Sequence, residues 1–260
     1  MADVKLDFQA WLAARHDSEL SVESDGLGEE LFTWMDEQVV VEKSGWAPEL
    51  CERVATRLQA AEPASLRKQP VVFWSERRTA FAVPGRYIYV SRRLLEEALP
   101  EDAVALLFAH ELAHHRLGHV KQLVPTLRWA RQLPVAHVAS FFAVAAVRLA
   151  TSRDQETQAD AWAFERCLEV GYDGRACLRL FDVLRNVAED YGDLDMAFGP
   201  EDVEAAARRE LEKHRQPEWR NALSALLDRG ARVRWEMTRG YPSIRDRRAR
   251  LEAMLAARGT

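Results

Sequence analysis

Apolar residues recur at helical spacing through most of this chain, with polar residues filling the opposite faces. Residues 5–15, 27–41 and 47–61 read as amphipathic helices, and Pro63 closes the third. The pattern then changes. Val71 to Trp74 and Arg86 to Ser91 are rich in β-branched and aromatic residues and read as short strands, joined around Pro84-Gly85. Helical spacing returns from Pro100 to Val120, with Pro100 near the first position, Glu101 and Asp102 in the first turn, and Gly118 where the helix should stop. A second well-marked helix starts at Thr151 or Ser152, either of which can cap it, and ends at Gly171. Further helices are predicted at 174–190, 201–214, 218–229 and 244–257, and Gly192 to Pro200 is the clearest loop. No repeat or low-complexity tract is visible. The expected fold class is mainly α with a small β-sheet (α+β), divided into an N-terminal helical region, 1–65, and a larger domain, 66–260.

One apolar run stands apart. Val135 to Val147 contains His137, is followed by Arg148 and is too short to span a bilayer, so a buried helix is expected. It can serve as a wall beside a cleft, but simple core is the stronger reading.

Composition changes the picture in two respects. Hydrophobic residues make up 48% of the chain, enough for a folded core. A net charge of −5 gives no general attraction to nucleic acid or anionic membrane. Arg229 to Arg250 is rich in arginine, yet these side chains can pair with the excess acids elsewhere, and a nucleic-acid partner is not expected. Cys51, Cys167 and Cys177 lack CxxC spacing and read as reduced, buried thiols. Met1 to Leu20 lacks the apolar core of a signal peptide, which points to a cytoplasmic protein without a membrane span.

The chemistry concentrates in His110-Glu111-Leu112-Ala113-His114. Histidines four apart lie one turn apart on one helix face, so both imidazoles can reach one ion. Glu111 then sits beside the ion, where it can take a proton from a bound water. Ala103, Leu107, His110 and His114 share one stripe, which turns the histidines inward. A lone histidine on such a stripe is usually a hydrogen-bonded core residue; two flanking a glutamate reverse that expectation.

A catalytic zinc usually takes three protein ligands and keeps a fourth position for water. The next helix supplies Glu156, Asp160, Ala163 and Cys167 on one face. Two carboxylates a turn apart on a face that becomes apolar are costly unless something binds them. Glu156 is expected to ligate, and Asp160 to accept the spare N–H of a ligand histidine and fix its tautomer. The plain alternative, a solvated acidic first turn, suits Asp154 but not Asp160.

The pair HELAH and SRDQETQADAWAFE resembles the HExxH…ExxxD pattern of the M48 (Ste24/HtpX-like) metallopeptidases. Thr79 to Ser91 is similar to the hairpin that precedes the active-site helix in that family, and Tyr241-Pro242-Ser243 through Arg247 to Leu251 to its segment HPs…R…L. The resemblance implies a zincin (gluzincin-like) core with added helices, one Zn²⁺ per chain, a peptide substrate, and Arg247 bracing the acidic residues through paired hydrogen bonds. Many members are membrane-embedded or periplasmic; this chain reads as a soluble form. Thr79 stands where the family usually has Asn, and Tyr241 where it has His. A tyrosine there can donate to a developing oxyanion or merely pack. The expected function is a zinc-dependent endopeptidase with Glu111 as general base. The alternatives are a catalytically silent or tightly gated metal-binding regulatory module, and a Lit-like zincin protease. Harmful proteolysis in a cytoplasm argues for a regulatory partner or self-inhibition.

Overall fold

The computed structural model describes residues 40–76, 78–123, 153–191 and 243–259, together with Glu29, Phe32, Thr33 and Asp36. The predicted helices 5–15, 201–214 and 218–229, the loop 192–200, the run Val135 to Val147 and Tyr241 lie outside these residues, as does most of 27–41.

Four short strands form one mixed sheet in the order β1-β2-β4-β3. They are β1 (Val41–Glu42), β2 (Gln69–Phe73), β3 (Ala80–Ala82) and β4 (Tyr87–Ser91). β2 and β4 run parallel, with Val72 opposite Val90. β3 runs antiparallel to β4, with Phe81 opposite Tyr89, which is the hairpin the family resemblance implied; the strand at 71–74, expected to join 86–91 around Pro84-Gly85, instead lies parallel to it. Val41, expected at the end of a helix, is instead in a strand paired to Phe73. Alternation sorts the side chains by face. Val72, Ala80, Ile88 and Val90 join the helical core. Phe81 stacks on Tyr89 at 5.0 Å between ring centroids on the other face, with Phe73 edge-on to both.

The sheet hands the chain to the helices through Ser91. Its hydroxyl accepts from Thr79 N in the hairpin and from Leu94 N, capping the short helix α2 (Arg92–Leu95). α1 (Trp46–Leu58) packs against β2 and α3 (Glu101–Arg116) in the same core, although the sequence places it in the N-terminal region. α3 was expected to bury one stripe. It is buried almost all round from Ala103 to Ala109, so it is the central helix of the described fold. Leu106, Phe108 and Leu112 are each at most 2% exposed, and each such side chain contributes about 1.5–3 kcal/mol by burial.

Pro100 occupies the cap position, one residue ahead of the helix proper, and offers no side-chain cap. At the other end Gly118 has φ +75°, the left-handed conformation that stops a helix at little cost only for glycine. A 3₁₀ turn, His119–Leu123, follows. α4 (Arg153–Glu169) lies along α3 in the most extensive helix contact among the described residues, and Gly171, at φ +83°, ends it. The predicted helix 174–190 is broken into α5 (Gly174–Cys177), capped by Asp173, and α6 (Leu180–Tyr191). α7 (Ile244–Ala257) is capped by Ser243 and packs on α4 and α6. No described helix is long and apolar enough to cross a membrane. All three cysteines are free and buried.

Candidate metal centre

α3 presents His110 and His114 one turn apart, with their Nε2 atoms 3.1 Å from each other. α4 brings Glu156 against both. Its Oε2 lies 3.3 Å from His110 Nε2, and its Oε1 lies 3.5 Å from His114 Nε2. Among the described residues these three are the one group of His, Cys, Asp and Glu side chains that could hold a metal ion. Zinc bonds of about 2.0–2.2 Å at tetrahedral angles put neighbouring donor atoms roughly 3.3–3.5 Å apart. The two nitrogens, 3.1 Å apart, and the nearest carboxylate oxygens, at 3.3 Å (Oε2) and 3.5 Å (Oε1), come close to that spacing. The donor chemistry fits as well. Two imidazole nitrogens at 3.1 Å can share one proton, or else their lone pairs face each other. A divalent cation between them and the carboxylate removes that conflict.

One turn after Glu156, Asp160 Oδ1 lies 3.0 Å from His110 Nδ1, an oblique approach on the side of the ring away from the triangle. Arg247, from α7, donates to Asp160 through Nε at 2.7 Å and Nη2 at 2.6 Å, and its Nη2 lies 3.8 Å from Glu156 Oε2. Glu156 and Asp160 are each 3% exposed and Arg247 is 7% exposed, so the arrangement is dry. Burial would raise the Asp160 pKa, but the Arg247 charge and hydrogen bonds outweigh it and hold the carboxyl at about 2. Burial works against a charged Glu156 too, yet His110 and Arg247 hold it well below the usual carboxylate range. In the metal-free protein, burial lowers the His110 pKa, while Asp160 and Glu156 overcome that and push it up to about 10. The site therefore stores negative charge that needs a cation, and a proton on His110 supplies it when no metal does.

Glu111 follows His110 on α3 and is buried, 8% exposed. On the far side of His114, His119 Nδ1 lies 3.0 Å from His114 Nδ1. The sequence reading missed this residue. Its only signal was the glycine before it, since a break at Gly118 lets the next residue turn back toward the helix end.

A buried two-helix His-Glu-His triangle beside a small mixed sheet is a zincin-like α+β core, the class expected of metal-dependent hydrolases. The model of peptidase family M48 matches residues 43–255, and the chain belongs to that family. It is thus a metallopeptidase with protein or peptide substrates, and the Lit-like alternative falls away. No curated protein matches the chain.

Proposed function

We propose that the protein is a zinc-dependent endopeptidase of the cytoplasm, carrying one Zn²⁺ held by His110, His114 and Glu156. The convergence of the two imidazoles, 3.1 Å apart, with the Glu156 carboxylate, 3.3 Å from one and 3.5 Å from the other, carries this reading. Zinc, when bound, lowers the pKa of a coordinated water toward about 7 and polarises the scissile carbonyl. Two neutral imidazoles and one carboxylate leave the site a net positive charge for that task.

The chain's own residues do the rest. Glu111 takes the proton of the attacking water and returns it to the leaving amine. Its burial keeps the carboxylate away from competing bulk water. Asp160 orients the His110 ring, and Arg247 keeps Asp160 ionised and fixed. Tyr241 is assigned as hydrogen-bond donor to the developing oxyanion. In the described sheet β3 neighbours β4 and packs near α3. A strand beside the active-site helix can hold a substrate in extended form by main-chain hydrogen bonds, which favours cleavage within a chain. Access is expected to be controlled by a regulatory partner or by the protein itself.

The test is cleavage of a mixed peptide library by the full-length protein, with and without a chelator, beside Glu111→Gln. Chelator-sensitive cleavage, lost in Glu111→Gln while zinc stays bound, is the expected result. Zinc bound without cleavage under any activating condition would instead establish a metal-binding regulatory module.

A further inference from the structure

The two histidines of the triangle have different neighbours behind them. His110 turns its Nδ1 to the carboxylate of Asp160. His114 turns its Nδ1 to another imidazole, that of His119, at 3.0 Å. We propose that His119 is the positioning residue for His114, accepting its Nδ1–H and so holding Nε2 unprotonated and aimed at the metal. The inference rests on the reading of His114 as a zinc ligand.

The backbone is built to make this contact. In an uninterrupted helix, residues five apart point about 140° away from each other and do not meet. Here α3 stops at Arg116, Gly118 takes φ +75°, and the 3₁₀ turn begins at His119. That break folds the His119 ring back under His114. The two rings meet edge to face, with 5.1 Å between centroids. His119 is 7% exposed and His114 is 7% exposed, so water has little access to the contact.

Proton counting then fixes both tautomers. His114 Nε2 faces His110 Nε2 and Glu156, and a metal ligand carries no proton on the ligating nitrogen. Its one proton is on Nδ1. His119 Nδ1 must then be an acceptor, and the His119 proton belongs on Nε2. His119 thus sets the orientation of one ligand. A neutral acceptor here, against a carboxylate behind His110, also keeps the total negative charge at the site down and the ion a stronger Lewis acid.

The experiment compares zinc affinity, by chelator competition at neutral pH, for the full-length protein and for His119→Phe and His119→Gln, beside the melting temperatures of the metal-free forms. Phe keeps a flat ring without an acceptor; Gln keeps an acceptor. A roughly 10–100-fold loss in His119→Phe, largely restored in His119→Gln, is expected. Equal affinity in folded His119→Phe, or an equal loss in both variants, overturns the proposal and leaves the ligand triangle standing. No zinc binding by the unaltered protein overturns the triangle itself and the proposal with it. Nitrogen NMR of the zinc form needs no variant: a proton on Nδ1 of His114 and on Nε2 of His119 is expected, and any other tautomer of either ring defeats the assignment.

Discussion

Arg247 grips Asp160 by a two-pronged pairing, Nε to Oδ2 at 2.7 Å and Nη2 to Oδ1 at 2.6 Å, with both side chains buried. Removing one partner of a buried pair leaves the other charged and unsolvated. Arg247→Ala is expected to destabilise the protein by about 3–5 kcal/mol, read from denaturant unfolding. Arg247→Lys keeps the charge but not the fork and should lose less. If Arg247→Ala unfolds like the unaltered protein, the pair is not holding α7 to α4.

Glu156→Ala removes one of the three donor groups and both contacts that it makes. Zinc affinity should fall by more than about 100-fold, beyond the loss typical of outer partners. Retention of tight, stoichiometric zinc by the purified variant would show that another residue supplies the third ligand.

The pH dependence of the metal-free protein has two limbs. Asp160 is held at about 2 against an ordinary 3.8, so its contribution is complete above pH 3.8 and is lost as pH falls toward 2. That contribution is about 2 kcal/mol. His110 is raised from 6.5 to about 10, so its contribution is complete below pH 6.5 and fades as pH rises toward 10. Zinc must displace the His110 proton, so zinc affinity should increase with pH across this upper range, with proton release visible by calorimetry in buffers of different ionisation enthalpy. An affinity flat in pH there would contradict the closeness of His110 to the two carboxylates.

Gly118→Ala places a side chain at φ +75°, although almost nothing crowds the position. The strain is expected to cost about 1 kcal/mol of stability, measured by thermal melting. A stability equal to that of the unaltered protein would mean that the turn accommodates a side chain freely.

Cys51, Cys167 and Cys177 are buried, and burial pushes the Cys51 thiol up to about 12. Thiol reagents should label none of them in the native protein and all three after unfolding. Fast labelling of the native protein would mean that α1 or α4 opens readily.

What could be read from the sequence was what local spacing encodes. A four-residue step placed His110 over His114 and Glu156 under Asp160, and glycines marked the stops at Gly118 and Gly171. The bidentate role of Arg247 came only through the family resemblance, since nothing local ties α7 to α4. The parallel pairing of β2 with β4 was not legible, because the hairpin strand β3 intervenes in sequence and not between them in space. The break after Cys177 was hidden because the apolar pattern continues across it. His119 was missed for a geometric reason: at five residues from His114 it counts as off-face until the helix stops.

The Arg247 fork also bears on how the protein is made. Asp160 leaves the ribosome long before its partner, which follows 87 residues later. Until then the growing chain holds a carboxylate pair with no guanidinium to neutralise it, and closure of α4 over α3 is penalised. The geometry that this fork holds therefore cannot be completed until α7 has been made.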